Sequence, residues 1–134
     1  MGYTTDFDGQ FEFNRQLTKK ELQTMETLYD TRHEDGYREK PSIWLQWMVE
    51  EYQCISTGKK THYLIWDGNE KFYNYIEWLE YLIKYFFKPN NLSITGRVRW
   101  RGEEFDDMGT ISVEDNEVEV LEFVQAGLTR GRGL

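Results

Sequence analysis

The sequence predicts an α+β domain in which two helices pack on one face of a mostly antiparallel sheet. Alternating apolar and polar residues near both ends of the 134-residue chain are typical of strands with one buried face. Two intervening segments instead repeat apolar residues at helical spacing. The predicted order, β-α-β-β-α-β-β-β, is that of a ferredoxin-like βαββαβ core with extra strands. The length fits a single domain, which we assign to residues 1–124.

Two local patterns predict the first strand and the first helix. Side chains of one parity indicate a half-buried strand that bends near Gly9. These side chains are Tyr3, Thr5, Phe7, Phe11 and Phe13. A helix is predicted to begin after Thr18, because Thr18 can cap it and Glu21 can bond back from three residues later. We expect this helix to end near Arg32.

The next two predicted strands lie at residues 43–49 and 62–66. The first is apolar on both parities apart from Gln46, which is typical of a central strand covered on both faces. A turn at residues 58–60 precedes the second strand, so we expect the two strands to pair. The pattern of residues 50–57 is compatible with either strand or loop.

A long helix is predicted over residues 70–87. Its start follows a second capping pattern, with Asp67 as the cap and Glu70 three residues later. Apolar residues then recur at helical spacing, and we expect Leu79 and Ile83 to be buried against the sheet. At about 1.5 Å per residue, this helix would be roughly 30 Å long.

Three further strands are predicted after the long helix. Apolar and polar residues alternate over residues 92–101, which indicates a strand with one buried face. Residues 110–114 and 117–123 are predicted to form a hairpin around the Asp115-Asn116 turn. The last ten residues, 125–134, contain glycine and arginine, and we expect them to form a flexible tail.

The charge of the chain indicates which partners it favours. Sixteen Lys and Arg against 24 Asp and Glu give a net charge of −8. Residues 125–134 hold Arg130, Arg132 and no acid, so residues 1–124 carry −10. Such a field repels nucleic acid and anionic membrane and favours a basic protein surface. We therefore expect a protein partner, with no direct nucleic-acid or membrane partner. The single cysteine, Cys54, fits a reducing cytoplasm.

The sequence offers few groups for catalysis, so an enzyme is the less favoured interpretation. His33 and His62 are the two histidines, and neither forms a motif with Cys54 or a serine. We find no Gly-rich phosphate loop and no His or Cys metal-binding spacing, and predict no catalytic residue, metal or cofactor. The densest group of carboxylates is the acidic loop of Glu103, Glu104, Asp106 and Asp107. We interpret it as a solvated interaction surface, with a metal or catalytic site as the alternative.

One side of the predicted long helix carries a second stripe of large side chains. The stripe lies more than about 90° from the centre of the core face, at 100° per residue. This aromatic stripe consists of Asn74, Trp78, Tyr81 and Tyr85. Rings at such positions indicate cover by another segment of the chain, a homodimer contact or the docking site of a foreign partner. The sequence leaves all three alternatives open.

Three arginines share the polar face of the strand at residues 92–101. This basic strand face consists of Arg97, Arg99 and Arg101. Alone, it could bind phosphate. The neighbouring strands supply Glu114, Glu117 and Glu119, however, and cross-strand ion pairing explains the arginines without any ligand. The acidic character of residues 1–124 also favours pairing over a nucleic-acid site.

Several segments of the chain together form a distinctive set of motifs. These are YTTDF with Gly9 (3–9), WLQW (44–47), WDGNEKFYNYIEWLEYLI (66–83) and GRVRW (96–100), followed by Gly102, Glu103, Asp107, Gly109, Ile111 and the Asp115-Asn116 turn. This set resembles a family of small uncharacterised proteins of bacteriophages and prophages. The loop at residues 33–40 departs from the family, which carries a longer Gly- and Asp-containing insertion there. The resemblance implies a phage or prophage setting, in which small acidic proteins often inhibit host defence. It implies no catalytic residues.

Charge, aromatic content and the scarcity of catalytic groups favour a non-enzymatic binding protein, and the resemblance implies a phage-type accessory protein of the host cytoplasm. We expect it to bind and inhibit a host protein with a basic, nucleic-acid-handling surface, as an anti-defence (anti-CRISPR-like) inhibitor. The alternative is a small-ligand-binding protein or carboxylate-dependent enzyme with an aromatic cleft near Trp44, Trp66 and Trp100. A deep aromatic pocket would favour the alternative, and a broad acidic face would favour the inhibitor.

Overall fold

The computed structural model describes residues 3–33, 41–42, 44–123 and 129–132. Its strands are β1 (Asp6–Phe13), β2 (Trp47–Gln53), β3 (Lys60–Trp66), β4 (Ile94–Arg101), β5 (Met108–Glu114), β6 (Glu117–Phe123) and β7 (Thr129–Arg132). The helices described are α1 (Lys19–Asp30) and α2 (Tyr75–Leu82). All strands join one antiparallel sheet in the order β2-β3-β1-β4-β5-β6-β7. The predicted α+β class is confirmed.

The strand order is that of two interlocked, split βαβ units. β3 lies between β1 and β2, the two strands that α1 connects. In the same way, β1 lies between β3 and β4, the two strands that α2 connects. The resulting order β4-β1-β3-β2 is the predicted ferredoxin-like core, and β5, β6 and β7 extend the sheet beyond β4 as a meander.

One face of the sheet is buried, and we call it the covered face. Its core side chains come from six neighbouring strands and include Phe11, Trp47, Leu64, Val98, Ile111 and Val120. Leu79 and Leu82 of α2 belong to the same hydrophobic cluster. The Trp47 indole N–H donates to the carbonyl oxygen of Tyr75 at 2.9 Å. This bond joins the covered face to the first residue of α2.

Helix α1 begins with the predicted capping box. Thr18 Oγ1 accepts from the backbone N–H of Glu21 at 3.2 Å, and Glu21 Oε1 accepts from the N–H of Thr18 at 2.8 Å. Two N–H groups of the Arg15 guanidinium donate to the Glu21 carboxylate at 2.9 and 3.0 Å. These charge-assisted bonds hold the pKa of Glu21 at about 2. A buried carboxylate therefore stays ionised at the helix start.

The predicted start of the long helix is wrong, because α2 begins at Tyr75 and not at residue 70. Asp67 does not cap a helix. Its Oδ1 instead accepts from the backbone N–H of Asn69 at 2.8 Å in a local turn. Lys71 and Asn74 have φ angles of 63° and 56°, a left-handed conformation that a right-handed helix cannot include. The pattern misled because an Asp that bonds the N–H two residues later also serves in turns.

Beyond its start, the long helix buries the predicted side chains. Leu79 is fully buried and Ile83 is 4% exposed. α2 continues into a π-helical segment, Ile83–Phe87, and a 3-10 turn, Lys88–Asn90. From Tyr75 to Phe87 the helical path is roughly 20 Å long. Among the residues described, no helix combines the length and apolar character needed to cross a membrane.

Two other segments differ from their predicted extent. The strand expected at residues 43–49 begins at Trp47 and continues to Gln53, because the β2–β3 hairpin pairs it as far as Lys60. The prediction that it is a central strand covered on both faces is wrong, because β2 lies at the edge of the sheet and its second half is exposed. At the other end of the chain, Thr129–Arg132 pairs with β6 as an edge strand, within the segment predicted to be a flexible tail. Residues 34–40 of the charged loop, and 124–128 and 133–134 of the tail region, lie outside the described residues.

Two glycines allow β1 and β4 to approach closely. Gly9 has a φ of +117°, and a Cβ there would lie 2.3 Å from the carbonyl oxygen of Arg97. Gly96 has a φ of +154°, and its Cβ would lie 2.4 Å from the carbonyl oxygen of Gln10. Neither position accommodates a side chain without a shift of the backbone. The β1–β4 register that they permit places Asp8 opposite Arg99.

Candidate functional site

The second face of the sheet, which we call the uncovered face, carries most of the charged side chains of the strands. Successive residues of a strand point to opposite faces, so the residues between the core positions share this face. Along β1 and β4, each residue of this face is exposed. The register of the strands then arranges these residues in rows that run across the sheet.

One of these rows is acidic. We define the acidic row by its four exposed carboxylates, Glu12, Glu50, Glu114 and Glu117. Tyr63 of β3 lies between the first two, opposite both Glu50 and Glu12. Thr95 of β4 lies opposite Glu12, and its Oγ1 accepts from the N–H of Asp115 at 2.9 Å in the β5–β6 turn. The row therefore extends from β2 to β6.

The carboxylates of the acidic row have no paired cation among the residues that the structure describes. In the part of the chain that the structure describes, none of the four makes a hydrogen bond or an ion pair. Glu114 and Glu117 lie directly opposite each other. Like charges in that position repel, at a cost of roughly 0.2–1 kcal/mol. Folding does not require this arrangement, and a cation brought by a partner would relieve it.

The opposite end of the uncovered face is a groove of about 570 Å³. We call it the arginine groove. The residues of this face that line it are Asp6, Asp8, Arg99, Arg101, Met108, Thr110 and Leu121. Arg99 Nη2 contacts Asp8 Oδ2 at 3.1 Å, and both side chains are largely exposed, so the pair adds little to stability. The groove combines charges of both signs.

The predicted ion pairing of the basic strand face names the wrong partners. Arg97, Arg99 and Arg101 lie opposite Ser112, Thr110 and Met108 of β5. On their other side lie Gln10, Asp8 and Asp6 of β1. The carboxylates directly opposite arginines come from β1, whereas Glu114, Glu117 and Glu119 do not lie directly opposite any of the three. The prediction failed because it considered carboxylates of β5 and β6 only and did not place β1 beside β4.

The acidic loop attaches the N-terminal segment to the β4–β5 connection. Asp107 Oδ2 accepts from the Tyr3 hydroxyl at 2.7 Å, and its Oδ1 accepts from the Trp100 indole N–H at 3.0 Å. The Tyr3 hydroxyl accepts from the backbone N–H of Glu104 at 2.9 Å, and Glu103 accepts from the N–H of Thr4. Asp106 is exposed. Among the described residues, no group of three or more His, Cys, Asp or Glu is arranged to hold a metal ion.

The aromatic stripe is covered in part by the chain itself. Trp78 is fully buried, and its indole N–H donates to Ser42 Oγ at 2.7 Å. The His33 ring lies 5.4 Å from the Trp78 ring, and Asn74 donates to the carbonyl oxygen of Pro41. Tyr81 is partly buried, and Tyr85 is 60% exposed. Of the three alternatives, cover by the same chain therefore describes Trp78, which is not available to a second copy.

The histidines and the cysteine have structural surroundings. His62 is buried; its Nδ1 accepts from the N–H of Leu17 at 2.8 Å, and its Nε2 donates to Glu51 at 3.0 Å. The bond from His62 is the main cause of a lowered pKa of Glu51. Hydrogen bonds from Ser56 and Thr57 lower the pKa of Cys54 to about 6. Within the described residues, neither histidine contacts Cys54 as a catalytic base.

The three tryptophans that the sequence suggested for an aromatic cleft do not meet at one site. Trp100 is 3% exposed and belongs to the core. The Trp66 ring packs 5.2 Å from that of Phe7. Trp44 is 46% exposed and lines a smaller cleft at the start of β2, together with Gln46 and Asp67. Only Trp44 of the three therefore presents a largely accessible ring.

Among the buried side chains of the described residues, Gln46 has the one polar atom that lacks a hydrogen-bond partner. Its Nε2 donates to the carbonyl oxygens of Glu70 and Lys71 at 3.1 and 3.4 Å. Its Oε1 has no hydrogen-bond partner. Two carbonyl acceptors hold the amide in this orientation, since a flipped amide would place an oxygen against them. A buried acceptor without a donor costs roughly 1–3 kcal/mol.

These observations define a ferredoxin-like α+β domain whose uncovered sheet face is acidic at one end and rich in arginine at the other. A small cleft lies at the start of β2, and its wall includes Gln46, whose Oε1 lacks a hydrogen-bond donor. In comparisons with protein-family models, curated proteins and solved structures, the chain matched none. Sequence reasoning missed the acidic row, although Glu12 stands at a polar position of the predicted first strand. It noted Gln46 only as an exception within an apolar run.

Proposed function

We propose that this protein is a non-enzymatic inhibitor that binds the basic, nucleic-acid-handling surface of a host protein in the host cytoplasm. The observation that carries the proposal is the acidic row. Its carboxylates cross five inter-strand steps, about 24 Å at the usual strand spacing. A line of unpaired negative charge of that length suits a channel that normally holds phosphates.

Electrostatics supports a protein partner over a small molecule. The four carboxylates of the acidic row are exposed, so they are hydrated in the free protein. Complementary charges steer association and raise the on-rate, while they disfavour partners of the wrong sign. The net charge of −8 extends the same preference to the whole molecule. A basic surface is therefore attracted from a distance and oriented by the row on contact.

The resemblance to bacteriophage and prophage proteins supports the choice of host partner. In that setting, a nucleic-acid-handling complex of host defence, such as a CRISPR effector, is the target that we propose. By occupying the channel, the acidic row would exclude the nucleic acid that the complex must bind. The role requires no catalytic group on this chain.

The test is the survival of phage in cells with CRISPR immunity. Expression of the wild-type protein should restore plaque formation. A variant that replaces the four row carboxylates by glutamine, E12Q/E50Q/E114Q/E117Q, should not. The matched control removes the same charge from exposed glutamates elsewhere, as E26Q/E70Q/E77Q/E80Q. This control should protect like the wild type, because its carboxylates lie outside the row.

The outcomes distinguish a specific role of the acidic row from an effect of net charge alone. Equal protection by both variants would contradict a role of the row, and equal loss in both would mean that only total charge matters. With purified effector, the wild type should displace duplex DNA, and the displacement should weaken as salt is raised. If displacement is unchanged by salt, the electrostatic basis of the proposal is wrong.

A further inference from the structure

A small cleft lies where the end of α1 meets the start of β2 and the end of β3. Its volume is about 330 Å³, and Tyr29, Asp30, Trp44, Gln46, Asp67 and Asn69 contribute to its walls. It lies apart from the acidic row, because Glu50 is four residues further along β2. None of the lining residues that the structure describes is basic.

Gln46 supplies the feature that points to a ligand. The residue is 8% exposed and lines the cleft, and its Oε1 is the acceptor without a donor. The backbone also fixes its place, because the carbonyl oxygen of Gln46 accepts from the N–H of Asp67 at 3.1 Å. A ligand that fits here must present a hydrogen-bond donor, either N–H or O–H, since the amide oxygen can only accept.

The carboxylates of the cleft favour a donor that carries a positive charge. Asp67 accepts from the Tyr29 hydroxyl at 2.9 Å and from both N–H groups of Asn69, at 2.8 and 2.9 Å. All these donors are neutral, so they orient the carboxylate without cancelling its charge. Burial and the bond to Asp67 raise the pKa of Tyr29, which keeps the phenol protonated. Asp30 adds a second, exposed carboxylate.

Trp44 adds an aromatic surface to the same cleft. With almost half of its surface exposed, its indole is accessible to a ligand. Cations bind over indole rings, and the planar guanidinium group also stacks on them. A guanidinium carries five N–H donors in one plane, so it can bond an amide oxygen and a carboxylate together. An ammonium ion lacks the flat surface that the indole matches.

We infer that this cleft binds a guanidinium group, supplied by an arginine side chain of the protein partner. The identity of the supplier rests on the proposed function, whereas the chemistry of the cleft does not. Arginine is abundant on the nucleic-acid-binding surfaces that the acidic row would contact. The cleft would thus hold one arginine in a defined orientation at the margin of that contact.

The test uses the intact protein and two isosteric probes. N-acetyl-arginine amide carries the guanidinium, and N-acetyl-citrulline amide replaces it with a neutral urea of the same shape. In ¹H–¹⁵N spectra, the arginine probe should produce saturable shifts of the Trp44 indole N–H and the Gln46 side-chain amide. The citrulline probe should produce none at the same concentration. Equal shifts with both probes would overturn the inference, because binding would not depend on the cation.

Variants test whether the arginine probe binds in the cleft or only through the overall negative charge of the protein. Trp44→Ala should weaken arginine binding about tenfold, through loss of the cation–π contact. The control Tyr85→Ala removes another exposed ring and should leave binding unchanged. Asp30→Asn should weaken binding without unfolding, since the residue is exposed. If Trp44→Ala binds arginine like the wild type, the cleft is not the site.

The acidic-row variant distinguishes failure of this inference from failure of the proposed function. E12Q/E50Q/E114Q/E117Q keeps each lining residue of the cleft, so it should bind the arginine probe as the wild type does. Loss of binding in that variant would assign the shifts to the row and overturn the cleft. If the wild type binds the arginine probe saturably but does not protect phage, the inference about the cleft stands and the proposed function is rejected.

Discussion

The two faces of this sheet differ in how their polar groups are bonded. On the covered face, polar groups are satisfied: the Trp47 N–H finds a carbonyl oxygen, and both ring nitrogens of His62 are bonded. On the uncovered face, the carboxylates of the acidic row have no bonded partner among the described residues, and Glu114 faces Glu117. A buried polar group without a partner costs free energy because water cannot reach it, whereas an exposed charge stays hydrated without one.

Substitutions should therefore have opposite effects on the two faces. On the covered face, a lost methyl group leaves a cavity, and a lost hydrogen bond leaves a buried group unpaired, so the free energy of unfolding falls. On the uncovered face, removal of a repelled charge leaves the packing unchanged and can raise the free energy of unfolding. The following predictions sharpen this contrast, beginning with the largest expected change in stability.

Truncation of Leu79 to alanine should have the largest effect. The side chain is fully buried in the cluster between α2 and the sheet, so the truncation leaves a cavity. We expect the free energy of unfolding to fall by about 2–5 kcal/mol in urea denaturation. Glu80→Ala, at the next position and exposed, should change it by less than about 0.5 kcal/mol. A loss below about 1 kcal/mol for Leu79→Ala would mean that α2 presents a different face to the core.

Gly9→Ala should lower stability through the backbone. The added Cβ would lie 2.3 Å from the carbonyl oxygen of Arg97, at a φ of +117°. We expect a loss of about 1–3 kcal/mol by thermal or urea unfolding. Gly58→Ala is the control, because its φ is +72° but its Cβ would meet nothing closer than 3.9 Å. If both variants lose the same stability, the close approach of β1 and β4 contributes nothing.

Local patterns of the chain predicted most of the elements. The capping box of α1 and the alternation of β1 and β4 depend on bonds and faces within a few residues, and the structure has them as expected. The start of α2 was misjudged because Asp67 forms a turn whose bonds resemble those of a helix cap. That ambiguity disappears only when the φ angles of Lys71 and Asn74 are known.

The charged surfaces were less predictable, because they depend on strand order. Arg99 meets Asp8 across 91 residues of sequence, since β1 lies beside β4. The acidic row likewise combines residues of β1, β2, β5 and β6. Alternation alone assigns each residue to a face, but only the register places them in a row. A single polar residue in an apolar run, Gln46, was a local signal of the cleft.

The buried carboxylate at the start of α1 should make stability depend on pH. The hydrogen bonds from Arg15 lower the pKa of Glu21 from 4.5 to about 2 in the folded protein. A lowered pKa contributes stability above the unfolded value, and this contribution is lost as the pH falls from about 4.5 to about 2. Because Arg15 is 37% exposed, we expect a contribution of about 1–2 kcal/mol at neutral pH.

The measurement compares wild type with Glu21→Gln in urea at several pH values. The variant should be less stable at pH 7, and the difference should shrink as Glu21 of the wild type becomes protonated. Glu26→Gln, at an exposed position of the same helix, should not show this convergence. A stability difference between wild type and Glu21→Gln that is constant down to pH 2 would contradict the assigned role of the carboxylate.

The smallest effect is expected on the uncovered face, with the opposite sign. Glu117→Gln removes one of the two charges that face each other across the β5–β6 hairpin, so the free energy of unfolding should rise by roughly 0.2–1 kcal/mol. Added salt should narrow the gap, because it screens the repulsion in the wild type. Glu80→Gln, at an exposed position of α2 beyond its first turn, serves as the control and should change stability less. Lower stability of Glu117→Gln would mean that the carboxylate supports the fold. A gain combined with weaker protection of phage would mean that the chain keeps a destabilising charge because its partner binds it.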